Sequence, residues 1–538
     1  MPYNLLSSWR KLHPFWTREA EYSRIPSLAA LEYLPEQEIP SHVSSNQRGP
    51  RWLQPTIRSE WYWGMLPWVL ASALGKTQRQ LPQKSSTSYL NGIRGIACLI
   101  VFLGHVSGHY YRSFNNPYGA EPVEENHGIS QLPIIRIIYA GKGMVAVFFV
   151  LSGFVLSYSP LRKINGSLST SSASSLVAGL CSSLLRRGVR LFAPMVVLVF
   201  LTCLVTWNYP SFYPGHWRDA DPKFLQHLWR YVMITLPLFN PFSWDTYHPT
   251  SFDQCWTLAV EYRGSMVVFL MCVTTSRLTT RARKIVVLLS ALWALHWLRS
   301  DVFCFLSGMF LAELRYCPLS DDFPLVRKCR VPWVVTSTLA SCVLMASMLV
   351  IGWPPGGDAG IEPYKTIGQL IPDVWRSSND SITFFWGSIG AFGSLAAIEN
   401  LPSVQWVLST VPILYFGEIS FSFYLLHWMA YMWPGWEMMI YFTEVIQWSR
   451  DVSFYAMFTL TLLLLIVASD YFWSVVDERC VSMGKILIDW LGVHASFVVV
   501  PNVVAAEEAT HLQDDVEMLP AASTSVGIRL KEEESAVR

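Results

Sequence analysis

The chain of 538 residues is 52% apolar and only 15% charged, where an average soluble protein carries roughly 25% charged residues, and its mean hydropathy is +0.30. That balance excludes an ordinary soluble domain and describes a multi-pass membrane protein, and 24 tryptophans and 23 tyrosines fit it because amphipathic rings collect at the headgroup level. A net charge of +1 argues against a nucleic-acid partner, and ten cysteines without a CxxC pair read as small buried hydrophobes, not as a zinc site or a disulfide frame.

The opening residues, MPYNLLSSWRKLHPFW, lack the basic-then-apolar layout of a cleaved signal peptide, so the membrane segments themselves are expected to direct insertion. Residues 1–85 read as a cytosolic extension. Its one apolar run, WYWGMLPWVLASAL at 61–74, is too short and proline-broken to span and is expected to lie as an interfacial helix. From there, length and hydropathy predict about ten spans, centred near residues 98, 150, 200, 266, 290, 308, 342, 390, 423 and 466. The expected fold class is an all-α polytopic membrane protein with its transmembrane domain over 86–480. Residues 481–538 are expected to be a cytosolic, largely disordered tail, ending in the acidic stretch EEATHLQDDVEM and beyond.

Basic residues at span ends set the orientation. They gather in alternate connections: Arg162, Lys163, Arg186, Arg187 and Arg190; then Arg277, Arg281, Arg283 and Lys284; then Arg315, Arg327, Lys328 and Arg330. These connections and both termini are assigned to the cytosol, and the longer loops 109–141, 208–255 and 353–380 to the lumen or exterior. The tract SLSTSSASS at 167–175 reads as a flexible linker.

The first span, NGIRGIACLIVFLGHVSGHY, carries Arg94, His105 and His109, although an ionisable group costs roughly 2.5 kcal/mol or more at the bilayer centre. Arg94 and His105 are eleven residues apart, three turns plus about 20°, which puts both on one helix face about 16 Å apart along the axis. A pantetheine arm extends on the order of 15 Å. An acyl-CoA held by its phosphates near Arg94 would therefore bring its thioester to His105, whose neutral imidazole suits proton transfer from a hydroxyl. The plainer reading has His105 bonding a neighbouring helix. His109, nearer the exit, reads as structural. HVSGH also has metal-pair spacing, but the other histidines are too scattered to complete a metal cluster.

Further along, GKGMVAVFFVLSGFVLS contains Ser152 and Gly153, read as small residues for close helix packing, with Ser152 also a candidate acyl carrier. LLRRGVRLFAP sets Arg186, Arg187 and Arg190 at a span mouth, as anchors or as a phosphate clamp. CWTLAVEYRGSMVVFL brings Glu261 and Arg263 to the fourth span, in the site or at the outer interface. FGEISFSFYLLHWMAYMWPGW holds Glu418, Tyr424 and His427, the last two at i, i+3 on one face.

Taken together these stretches resemble the acyltransferase-3 family of integral-membrane acyltransferases over about residues 86–480. The points of similarity are Arg94 with His105, FFVLSGF, RRGVRL, WTLAVE, FLSGMFLAEL and GEISFSFYLLH, in order. The resemblance implies transfer of an acyl group, commonly acetyl from acetyl-CoA, to a hydroxyl of a small molecule or glycan, with His105 and Arg94 essential. Acyl-CoA would be a co-substrate, with no bound cofactor or metal. At Ala146 many members have an acidic residue, so any role of that carboxylate is absent or moved. The WTLAVEYRGSM wording resembles fungal members, several of which modify secondary metabolites.

On this reading Arg94, Arg187 and Arg190 hold acyl-CoA, His105, Arg94 and Glu261 form the catalytic set, and Ser152, Tyr424, His427 and His109 support it. The alternatives from the residues alone are a transporter or channel for a polar or anionic substrate, and a membrane metal oxidoreductase.

Overall fold

The computed structural model describes residues 84–166, 170–209, 223–249, 251–318 and 332–492. The expected interfacial helix at 61–74 and the tail beyond 492 lie outside these residues. A helix covers each of the ten predicted centres: α1 (Ser88–Tyr110), α2 (Gly141–Asn165), α3 (Thr170–Asn208), α5 (Trp256–Thr274), α6 (Thr280–His296), α7 (Ser300–Tyr316), α8 (Trp333–Ile351), α9 (Asn379–Ile398), α10 (Val411–Ala430) and α11 (Arg450–Phe472). A short helix, α4 (Phe224–Thr235), and a last one, α12 (Glu478–Trp490), complete the set used below. No strand occurs among the described residues.

Seven of these segments are long and apolar enough to cross a membrane, or eight if the bent pair ending in α10 and its extension is one span. The expected ten is therefore not reached by that criterion. α6 and α7 are each 17 residues long, short of a bilayer's hydrocarbon core at about 1.5 Å per residue. Two sequence boundaries also move. Residues 170–175 of the serine tract belong to α3 and do not form a linker, since alanine and serine differ by only a few tenths of a kcal/mol in helix propensity and an apolar run follows at once. The last span continues through a wide π-type turn, Trp473–Asp477, into α12, past residue 480.

Small residues set which helices meet. A Cβ on Gly95 would lie 2.7 Å from the Gly417 amide, so α1 and α10 touch backbone to backbone there. Gly153 of α2 meets the Phe305 carbonyl of α7, and Gly308 returns the contact against Val150. The packing role expected for Ser152–Gly153 thus falls to the glycine alone. Around these contacts α2 packs on α7, α9 and α5, α10 packs on α1 and α11, and α12 lies along α3. Two apolar clusters result, one built mainly on α2 and α7, the other on α1, α10 and α11. The candidate site lies between them.

Candidate active site

α1, α2, α3, α5, α10 and the α11–α12 junction enclose a cavity of about 480 Å³. Its wall is divided by chemistry. Leu90, Val145, Phe148, Leu151, Leu258 and Phe421 make it apolar, while Arg94, Arg187, Arg190, Glu261, Glu418 and Asp477 put three guanidinium groups and three carboxylates on the same space. Arg186 adds a further cation from α3, and Lys485 and Glu478 add a cation and a fourth carboxylate from α12. Of the residues expected to hold an anionic donor, Arg94, Arg187 and Arg190 all line this cavity.

Glu261, Glu418 and Asp477 are each held differently. Glu261 accepts hydrogen bonds on one oxygen from both Arg187 and Ser152, and the ion pair is largely buried, with the two side chains 13% and 15% exposed. Glu261 and Arg263, two residues apart, point about 200° apart around α5. Arg263 accordingly leaves the cavity for the Ser243 carbonyl, Asp301 at 3.5 Å and the face of Trp244 at 5.0 Å. Glu418 accepts from the Asn91 side chain at 2.5 Å, closing the α1–α10 seam. Asp477, 5% exposed, has an oxygen without a hydrogen-bond partner among the described residues.

Arg94 itself has no hydrogen-bonding or ion-pairing partner among the described residues, although its side chain lines the cavity.

Tyr424 also lines the cavity and donates to the Gln254 carbonyl at 3.0 Å, within reach of the Thr257 hydroxyl at 2.8 Å. His105 and His427 are not among the lining residues. They lie beyond Tyr424, whose ring is 5.4 Å from that of His427, and the two imidazoles face each other at 5.3 Å. His427 is 1% exposed; its Nδ1 donates to the Tyr424 carbonyl at 2.5 Å, and its Nε2 has no hydrogen-bond partner among the described residues. That bond fixes the tautomer: Nε2 is a bare acceptor beside His105. Trp428 and Tyr431 complete a ring of aromatic groups around His105, at 5.4 and 6.5 Å. His109 is exposed and packs on Tyr110, Tyr431 and Trp436. Among the described residues no group of three histidine, cysteine or carboxylate side chains is placed to hold a metal ion.

Sequence reasoning missed Asn91, Asp477 and Lys485 as cavity residues. Asp477 did carry a signal, since it follows Asp470 by seven residues in an apolar stretch, a two-turn spacing like that of a shared helix face.

Compared with known proteins, the chain matches an acyltransferase domain family over residues 87–473. It is 25% identical over 508 residues to the O-acetyltransferase PaAT-1 of Phomopsis amygdali, covering 86% of this chain and 94% of that protein. It is 21% identical to acyltransferase R4 of a Phoma species over 395 residues and to acyltransferase clz18 of Cochliobolus lunatus over 399. Each of these alignments covers 64% of this chain and 82% of the relative. No solved structure matches.

Proposed function

The chain belongs to this acyltransferase family, as an integral-membrane, multi-pass member, and from that premise we propose that it moves an acetyl group from acetyl-CoA to a hydroxyl of a small molecule. The observation that carries the donor half is the unpartnered Arg94 guanidinium in a cavity that also presents Arg187 and Arg190. A half-buried guanidinium facing open space is a site for an anion, and the planar fork suits phosphate oxygens. The donor enters from the basic, cytosolic end and its thioester passes Tyr424.

His105, neutral, takes the proton of the acceptor hydroxyl as that oxygen attacks the thioester carbonyl. The new O–C bond forms, the C–S bond breaks, and the imidazolium returns the proton to the departing CoA thiolate. His427 supports the step by offering Nε2 to the hydroxyl or to His105. Ser152 donates its proton to a carboxylate already committed to Arg187. With that carboxylate held by Arg187, Ser152 has no imidazole or amine bonded to it among the described residues, which favours direct transfer over an acyl-serine. Glu261 is then a positioning residue for Arg187. The aromatic surround of the histidine pair suits an apolar acceptor of the secondary-metabolite kind better than a glycan, and the name of the Phomopsis relative supports acetyl as the group moved.

The test is release of CoA from acetyl-CoA by purified protein with a panel of hydroxylated fungal metabolites and glycans. Release that depends on both protein and acceptor supports the reading. Acceptor transport without CoA release would replace it with a transporter.

A further inference from the structure

Two aspartates interrupt the apolar stretch that forms α11 and its extension, and the fold treats them oppositely. Asp470, 1% exposed, accepts a hydrogen bond from the Tyr415 hydroxyl of α10 at 2.7 Å. Asp477 is nearly as buried, lines the cavity with Arg94 and Arg190, and keeps an oxygen that nothing among the described residues satisfies. In an unbroken α-helix seven residues would bring Asp477 within about 20° of the Asp470 face. The wide turn Trp473–Asp477 shifts that phase, and such turns recur at functional positions. Asp477 also lies beyond residue 473, where the family match ends.

An unsatisfied buried carboxylate is costly, and one lining a binding cavity is an acceptor waiting for a donor. Arginine clamps hold the phosphates of a CoA thioester, but phosphates offer a carboxylate nothing at neutral pH. The next segment does: the pantetheine arm carries amide N–H groups and a hydroxyl. We propose that Asp477 is a donor-recognition residue, accepting a hydrogen bond from the N–H or O–H groups of the pantetheine arm just past the phosphates; this rests on the acyl-CoA reading above. The competing role, neutralising Arg94 and Arg190, predicts the opposite sign, because removing a negative charge beside a phosphate site tightens an anionic ligand.

The experiment is equilibrium binding of acetyl-CoA, and of adenosine 3′,5′-bisphosphate as a probe without the arm, to full-length protein in nanodiscs. Asp477→Ala is expected to weaken acetyl-CoA about tenfold, about 1.4 kcal/mol, and to leave the bisphosphate no weaker. Asp477→Asn keeps the shape and an uncharged acceptor, guards against misfolding of the alanine variant, and is expected to lose about threefold, the charge-assisted part of the bond. Tighter or unchanged acetyl-CoA binding in both variants overturns the inference and leaves the donor reading standing. Equal weakening of both ligands overturns it in favour of a nucleotide contact. Failure of the wild-type protein to bind acetyl-CoA removes the donor reading and this inference with it.

Discussion

Two sets of arginines sit in this protein, and they are treated in contrasting ways. Arg283, 2% exposed, bonds Glu313 at 2.6 Å and the Asn165 side chain, tying α6 to α7 and α2. Arg315 bonds Glu399 at 2.6 Å and Tyr89 at 3.0 Å, tying α7 to the end of α9 and the start of α1. Arg94 has no such partner and lines a cavity. A buried cation paired with a carboxylate on a neighbouring helix is a fastener, because its charge is already met by a fixed partner. One without such a partner that faces a cavity is a site, because it holds its donors ready for a ligand. The same division separates the two ends of the candidate site. The cavity end is charged and cross-linked, while the histidine end sets two imidazoles among aromatic rings, with His427 Nε2 unbonded among the described residues.

The contrast is sharpened most by His105→Ala. Acetyl transfer is expected to fall by about 10²–10⁴-fold, the range for loss of a general base, with membrane abundance unchanged; kcat and immunoblot read the two. Full activity in this variant would remove His105 from the chemistry.

Arg283→Ala is expected to act on the fold. Breaking a buried pair costs about 3–5 kcal/mol, so thermal stability and yield should drop while surviving protein binds acetyl-CoA normally. Arg94→Ala is expected to do the reverse: normal stability, with KM for acetyl-CoA raised about 10- to 100-fold, as for a lost charged hydrogen bond of about 1.5–3 kcal/mol, and little change in the acceptor KM. Arg94→Lys should recover part of that loss. If the two alanine variants exchange phenotypes, the distinction between fasteners and sites fails.

The next test separates the two nitrogens of His427. Asparagine can place its amide near the Nδ1 position and keep the bond to the Tyr424 carbonyl, whereas glutamine reaches towards Nε2 and keeps an acceptor there. If Nε2 serves the reaction, His427→Gln should retain about tenfold more activity than His427→Asn, on the order of one hydrogen bond. A purely structural role gives the opposite order. The smallest effect is expected from His109→Ala, within about threefold of wild type, since an exposed ring packed on other rings contributes only about 0.5–1.5 kcal/mol; initial rates check it.

Much of this organisation is local and was therefore legible from the sequence. Apolar runs placed helices at every predicted centre, because hydropathy and helix length are properties of contiguous residues. The i, i+3 spacing of Tyr424 and His427 and the eleven-residue spacing of Arg94 and His105 followed from helical periodicity alone. Where neighbours along the chain did not decide, the sequence was silent or misleading. It read the serine tract as a linker, though its later residues are the first turns of α3, and it ended the last span before α12. It left Ser152 and Gly153 as one packing unit, and tertiary contact divided them, the glycine to Phe305 and the serine to Glu261.

What the tertiary structure alone decided is which charges meet. Glu261 finds Arg187 across 74 residues and Ser152 across 109, and Asn91 finds Glu418 across 327. No spacing rule spans such distances, since periodicity fixes only which face of a helix a residue occupies, and helix packing fixes what that face touches. Asp477 needed one thing more, a wide turn that re-phases its helix, and it entered the cavity by a local departure from the very periodicity that made the rest of the chain readable.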